Sequence, residues 1–407
     1  MLKQLVLFSL LVTVSACSAR LEPRPALSEL KGIADVMSVK VNWARSVSVS
    51  MFENNAANQL AVSGKHFYVT DGIQSLQKRA LNDARPVWEA DIGGVMNGAI
   101  LLDKQSVYAV SDNADFVKLD REHGTQVWRT RVSTESLVAP VLARGIILVQ
   151  TVDGKIAAFR EENGEQIWVY SRTLPKLSLR GTAQPVVAGD VVIAGLASGR
   201  LVALSLFDGK LVWESTVAVP KGRSSLERMV DIDGNMLLHD GIVYVSAYQG
   251  RVAAMSVDSG RLIWARELSS AKGLVFSADK SMVYLTDAEG NLWSLDRESG
   301  ATIWRQDALK GRLSTRPSVH GTHLVVGDRQ DNLFWINQQD GVLSGHLHYY
   351  DMMEAGKLWH TVDVLDLGLE ALDSFPEPRG IASASTLGQT AVVAYRNGVV
   401  ASISLLN

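Results

Sequence analysis

The chain has 407 residues, with 40 Lys+Arg against 43 Asp+Glu, a formal net charge of -3, 47% hydrophobic residues and one cysteine. This composition excludes a collagen, a disordered chain and a disulfide-stapled mini-protein, and the near-neutral charge argues against a nucleic-acid binder that works through a global basic field. A single Cys makes neither an internal disulfide nor a thiolate zinc cluster, so its position decides its use.

That position is 17. Residues 1–16, MLKQLVLFSLLVTVSA, combine one cation, Lys3, with an apolar run from Leu5 to Val14 and the small residues Ser15 and Ala16. This is the pattern of a secretory signal peptide, and the run is shorter than the roughly 20 residues that a spanning helix needs. Val14-Ser15-Ala16-Cys17 resembles the lipobox of bacterial lipoproteins, which implies that Cys17 is the lipid attachment point. The alternative is an ordinary cleavage site with a cysteine beside it. Residues 17–35 are polar and carry Pro23 and Pro25, which predicts a flexible tether. Ser18, where sorting to the inner membrane would favour Asp, implies the periplasmic face of the outer membrane.

From residue 36 onward the sequence repeats. Seven tryptophans, Trp43, Trp88, Trp128, Trp168, Trp213, Trp264 and Trp304, are spaced by 45, 40, 40, 45, 51 and 40 residues, and the next register position is Gly345. Four residues before the register position stands Gly124, Gly164, Gly209, Gly260, Gly300 or Gly341, with Ala84 in one repeat. Fourteen before it stands Gly154, Gly199, Gly250 or Gly290, with Ala114 and Asp331 in the same slot. Between these landmarks the text alternates at period two or runs apolar for a few residues, as in Gly241–Glu267, which predicts antiparallel strands joined by tight turns.

Units of this length with four short strands each are β-propeller blades. The first repeat, around Trp43, lacks its beginning, and the last, Gly388–Asn407, stops before its tryptophan strand. Joined, they make one blade. The expected fold is therefore all-β: an eight-bladed propeller of four-stranded antiparallel blades over residues 36–407, with the ring closed by the N- and C-terminal strands. Such closure leaves no open end to the array.

The blade text SLFDGKLVW (205–213), SVDSGRLIW (256–264) and LDRESGATIW (295–304) resembles the quinoprotein-type propeller repeat. Together with the lipobox, the chain resembles the BamB family, propeller lipoproteins of the outer-membrane β-barrel assembly machinery. Two connections sharpen the resemblance: LPKLSLRGTAQP (174–185) after Trp168, and LERMVDIDG (226–234) after Trp213. In that family such loops dock on the POTRA domains of the barrel subunit BamA. Carried onto this sequence, the resemblance makes Leu177, Leu179, Arg180, Asp231 and Asp233 partner-facing, with Arg228 close by. In an extended segment the two leucines share one side, and Arg180 adds planar donors, a combination that suits an interface. The plainer reading is that the leucines are core and the carboxylates are turn residues. The implied function is scaffolding, in which the chain binds BamA, and unfolded barrel precursors are further expected partners, held by loops or by β-augmentation at an outer strand.

The same repeat occurs in quinone-dependent dehydrogenases, so a periplasmic enzyme or another ligand-binding propeller is the alternative. Those enzymes resemble one another in placing adjacent cysteines beside the quinone, and here the only Cys lies outside the propeller. Asp231-Ile232-Asp233-Gly234 looks faintly like a calcium loop but lacks the further oxygen ligands of an EF-hand. The pairs His320/His323 and His346/His348 have no Cys partners, and no G-x-S-x-G, H-E-x-x-H or P-loop string occurs. No catalytic residue, metal or cofactor is expected. Residues 346–380 do not follow the repeat; they either complete a blade with longer excursions or contain a short helix.

Overall fold

The computed structural model describes residues 39–47, 60–173, 175, 183–352 and 381–406. Within them the strands form eight four-stranded antiparallel sheets arranged as the blades of a propeller. Blades 1 to 7 each use four consecutive strands, spanning residues 61–91, 101–131, 141–171, 186–216, 237–266, 274–306 and 318–348. Blade 8 is composite: strands 381–387, 390–395 and 399–405 are completed on the outside by strand 39–46, which pairs antiparallel with the last of them and sets Trp43 opposite Ser402. The ring is thus closed by the two ends of the chain, as the truncated terminal repeats require.

Each strand's burial follows its place in the blade. First strands are two or three residues long in blades 1 to 7, and neighbouring ones touch around the axis. Second and third strands are buried on both faces, as in Ile146–Gln150 and Lys155–Arg160, so they read as apolar runs rather than as alternation. Fourth strands form the rim and alternate. In Gln126–Arg131 only Trp128 is buried, while Val127 on the other face is half exposed.

The register tryptophans join the blades. Each of the seven donates its indole N–H to a backbone carbonyl in the third-to-fourth-strand turn of the next blade: Trp43 to Leu81, Trp88 to Arg121, Trp128 to Glu161, Trp168 to Leu206, Trp213 to Val257, Trp264 to Arg297 and Trp304 to Gln338, at 2.7 to 3.1 Å. The ring is therefore packed and hydrogen-bonded in one step, which satisfies the polar atom of a buried indole.

Blade 7 inverts the pattern. Across the third and fourth strands the other tryptophans face a small residue or a lysine, as Trp304 faces Ser294 and Trp128 faces Lys118, whereas Gly345 faces Trp335. The large ring has moved to the adjacent strand, where it is buried and donates to His320 Nδ1 at 3.0 Å. His320 and His323 are cross-strand partners in the first hairpin of this blade, and His346 stacks on Phe334. Beyond strand 343–348 the chain makes one helical turn, Tyr349–Met352. The rest of the irregular segment lies outside the described residues, as do residues 1–38 and with them the signal peptide, Cys17 and the tether.

One turn differs in detail from the sequence pattern. In blade 5 the left-handed residue is Gln249, with φ 48°, and not Gly250. Gly250 instead lies against Ala218 and Ala247, where a Cβ would come within 2.6 Å of Ala218.

Candidate partner-binding site

The two connections singled out in the sequence leave the same face of the ring and meet there. The first opens at Arg172, whose guanidinium Nη2 binds both oxygens of Glu214 at 2.8 Å, with Arg200 holding the same carboxylate at 2.7 Å. These bonds hold the Glu214 carboxyl below its ordinary range, the Arg200 hydrogen bond being the largest cause. At its far end Ala183 is fully buried. Leu177, Leu179 and Arg180, between these anchors, lie outside the described residues.

The second connection, residues 217–236, is long because part of it packs as core. Val217, Ala218, Val230, Ile232 and Met236 join Ala183 in one apolar cluster over blades 4 and 5. Ile232 and Ala183 both close over Gly195, where an added Cβ would lie 2.5 Å from Ile232 and 3.1 Å from Ala183. The missing side chain at 195 is what lets both connections seat on the same spot.

Burial of Val230 and Ile232 at alternate positions fixes where their neighbours go. The Asp231 backbone carbonyl accepts from Tyr248 N at 2.8 Å, and its side chain is buried. Asp233 is partly buried, and neither of its carboxylate oxygens has a hydrogen-bond partner. Burial, with the negative charge of Asp231 beside it, pushes the Asp233 carboxyl up to about 7. Asp231 and Asp233 therefore form a close acidic pair sunk beside the meeting point of the two connections. Arg228 stands apart from them: it is exposed, on a stretch that also exposes Val219 and Leu226. That stretch is held by Glu227, which accepts from the backbone N–H groups of Arg223 and Ser224, and by Gln249, which donates to the Leu226 carbonyl.

The sequence pattern did not single out Val219 and Leu226, since an isolated apolar residue in a loop has no periodicity to betray it. The length of the connection was the available signal. Among the described residues, no three His, Cys, Asp or Glu side chains gather as a metal site requires.

The family model described as outer membrane protein assembly factor BamB matches residues 74–306 and 289–344. The outer membrane protein assembly factor BamB of Bordetella pertussis is 32% identical over 340 residues, covering 83% of this chain and 86% of its own length. Among solved structures, BamB from Moraxella catarrhalis superposes with a TM-score of 0.72 at 22% identity, over 88% of this chain and 99% of that one. The quinohemoprotein alcohol dehydrogenase of Comamonas testosteroni superposes at 0.66 with 12% identity, over 93% of this chain and 78% of that one. At such identity these two structures speak for the propeller alone.

Proposed function

Because the chain belongs to the BamB family of outer membrane protein assembly factors, we propose that it works as a scaffold that docks on the POTRA domains of BamA. It is a non-enzymatic assembly factor of the outer-membrane β-barrel assembly machinery, acting at the periplasmic side of the outer membrane. Cys17, lipidated, would hold it there: acyl chains contribute about 0.8 kcal/mol per buried CH₂, so several chains keep a soluble propeller on the membrane.

The observation that carries the docking reading is the convergence of the two connections over Gly195. It sets Ala183, at the end of the connection whose sequence carries Leu177, Leu179 and Arg180, against Ile232, which lies between Asp231 and Asp233 on the connection that also exposes Val219, Leu226 and Arg228. Apolar anchors beside a desolvated charge are the make-up of an interface hot spot. A carboxylate without a partner, as at Asp233, is costly when buried, and a cationic group from a partner would relieve it. Unfolded barrel precursors are a second class of partner in this reading, reached through the exposed rim strands.

A pull-down with BamA POTRA domains tests the docking. Wild type should capture them, and Leu177→Ser combined with Arg180→Ala should not. Undiminished capture by the double variant would remove the assigned interface.

A further inference from the structure

The face that carries the connections also carries four cations close to the axis. Lys272 lies two residues before the first strand of blade 6 (Leu274–Phe276), and Arg316 two residues before that of blade 7 (Ser318–His320). Arg329 and Arg396 sit in the turns between the second and third strands of blades 7 and 8. First strands surround the axis, so residues that immediately precede them stand at its mouth.

Hydrogen bonds tie these segments into one wall. Ser270 Oγ donates to the Thr286 carbonyl at 2.7 Å, and Thr286 Oγ1 donates to the Thr315 carbonyl at 3.0 Å. Thr315 N donates to the Gly327 carbonyl at 2.8 Å, and Ile381 N donates to that of Asp328 at 3.1 Å. Blades 6, 7 and 8 are thereby locked in sequence, and the cations cannot spread apart without breaking the wall.

Three of these charges, Lys272, Arg329 and Arg396, crowd one another. Burial, then the positive fields of Arg329 and Arg396, lower the pKa of Lys272; burial, then Arg329, lower that of Arg396; burial alone lowers that of Arg316. Lys272 and Arg329 are nevertheless open to solvent, and Arg316 is partly so. Among the described residues, the side chains of Lys272, Arg316 and Arg329 have no carboxylate partner. Three nearby carboxylates are already engaged, Asp328 with Arg312 and Asn332, Asp287 with Asn291 and Trp293, and Glu289 with Lys310, and a fourth, Asp331 in the turn of Arg329, is buried.

We propose that Lys272, Arg316 and Arg329, within the field of Arg396, form a binding site for a small oxyanion of the phosphate class at the axial mouth of the propeller. The guanidinium forks of Arg316 and Arg329 beside the Lys272 ammonium match an anion with three or more acceptor oxygens, and a bound dianion offsets the repulsion among the cations. This site goes beyond the docking reading and uses none of its residues.

The test is calorimetric titration of the full-length protein with inorganic phosphate at constant ionic strength. The wild type should show one saturable site, weakened at least tenfold by Lys272→Gln and by Arg316→Gln, and unchanged by Lys104→Gln in a turn of blade 2. Because Lys272 is exposed, its variant keeps the test valid even where Arg316→Gln fails to fold. Phosphate should also raise the melting temperature of wild type but not of Lys272→Gln. Non-saturable heats from the wild type, or equal affinity in wild type and Lys272→Gln, would overturn the proposal.

Discussion

Gly341 lies against the indole of Trp304 in the preceding blade: a Cβ at 341 would come within 2.6 Å of the ring, and the residue holds a left-handed φ of 73°. The same contact recurs at Gly124, Gly164, Gly209, Gly260 and Gly300 with the tryptophan one blade earlier. The turn glycine and the tryptophan are thus one device, in which the turn of each blade caps the ring of its neighbour.

Gly341→Ala should therefore be far more damaging than Gly145→Ala. Both place a side chain at positive φ, costing about 1–2 kcal/mol, but the space around Gly145 is open. At Gly341 overpacking against Trp304 adds about 1–3 kcal/mol. Urea denaturation of the two variants, read as midpoints at unchanged slope, makes the comparison.

Trp335→Phe tests the inverted blade. It keeps the aromatic volume and removes the donor to His320 Nδ1, leaving a buried nitrogen without that bond. The expected loss is about 1–3 kcal/mol in thermal or urea unfolding.

The buried pair Arg312–Asp328, 3.1 Å apart with the Asp328 side chain fully buried, supports the wall of blade 7. Asp328→Ala should cost about 3–5 kcal/mol because it removes the carboxylate that a buried guanidinium and the Asn332 side chain share. Glu165→Ala, which breaks the exposed Arg160–Glu165 pair, should cost about 0.5 kcal/mol or less. Equal losses would contradict the difference in burial.

Asp233 predicts a pH signature. Its carboxyl is raised from 3.8 to about 7 in the folded protein, so between those values the folded state binds more protons than the unfolded one. Its contribution to stability therefore falls as pH rises from about 4 to about 7, and the penalty is fully developed above that. Asp233→Asn should raise the melting temperature at pH 8 and leave it nearly unchanged at pH 4. Buried His320, held below 6.5 mainly by burial, contributes in the opposite direction as pH falls below 6.5, and it is common to both proteins in the comparison.

The blade count and the composite closing blade were legible because they depend on a short-range spacing of turns and strands that repeats around the ring. The exchange of Trp335 with Gly345 was not, since it depends on which of two paired strands carries the ring, and a period in one strand says nothing of its partner. The proposed docking face was legible only in part. Loop length and a family resemblance pointed to the connections after Trp168 and Trp213. Their convergence over Gly195, the sinking of Asp231 and Asp233, and the four cations at the axial mouth all join residues far apart in the chain, where sequence spacing carries no signal.

The most direct measurement is the affinity of the full-length protein for the purified BamA POTRA domains, for wild type, for Leu177→Ser combined with Arg180→Ala, and for Lys104→Ala as a control in a turn of blade 2. Wild type and the control should bind saturably, with a loss of at least tenfold in the double variant. Absence of binding by wild type, or equal affinity in all three, would contradict the docking.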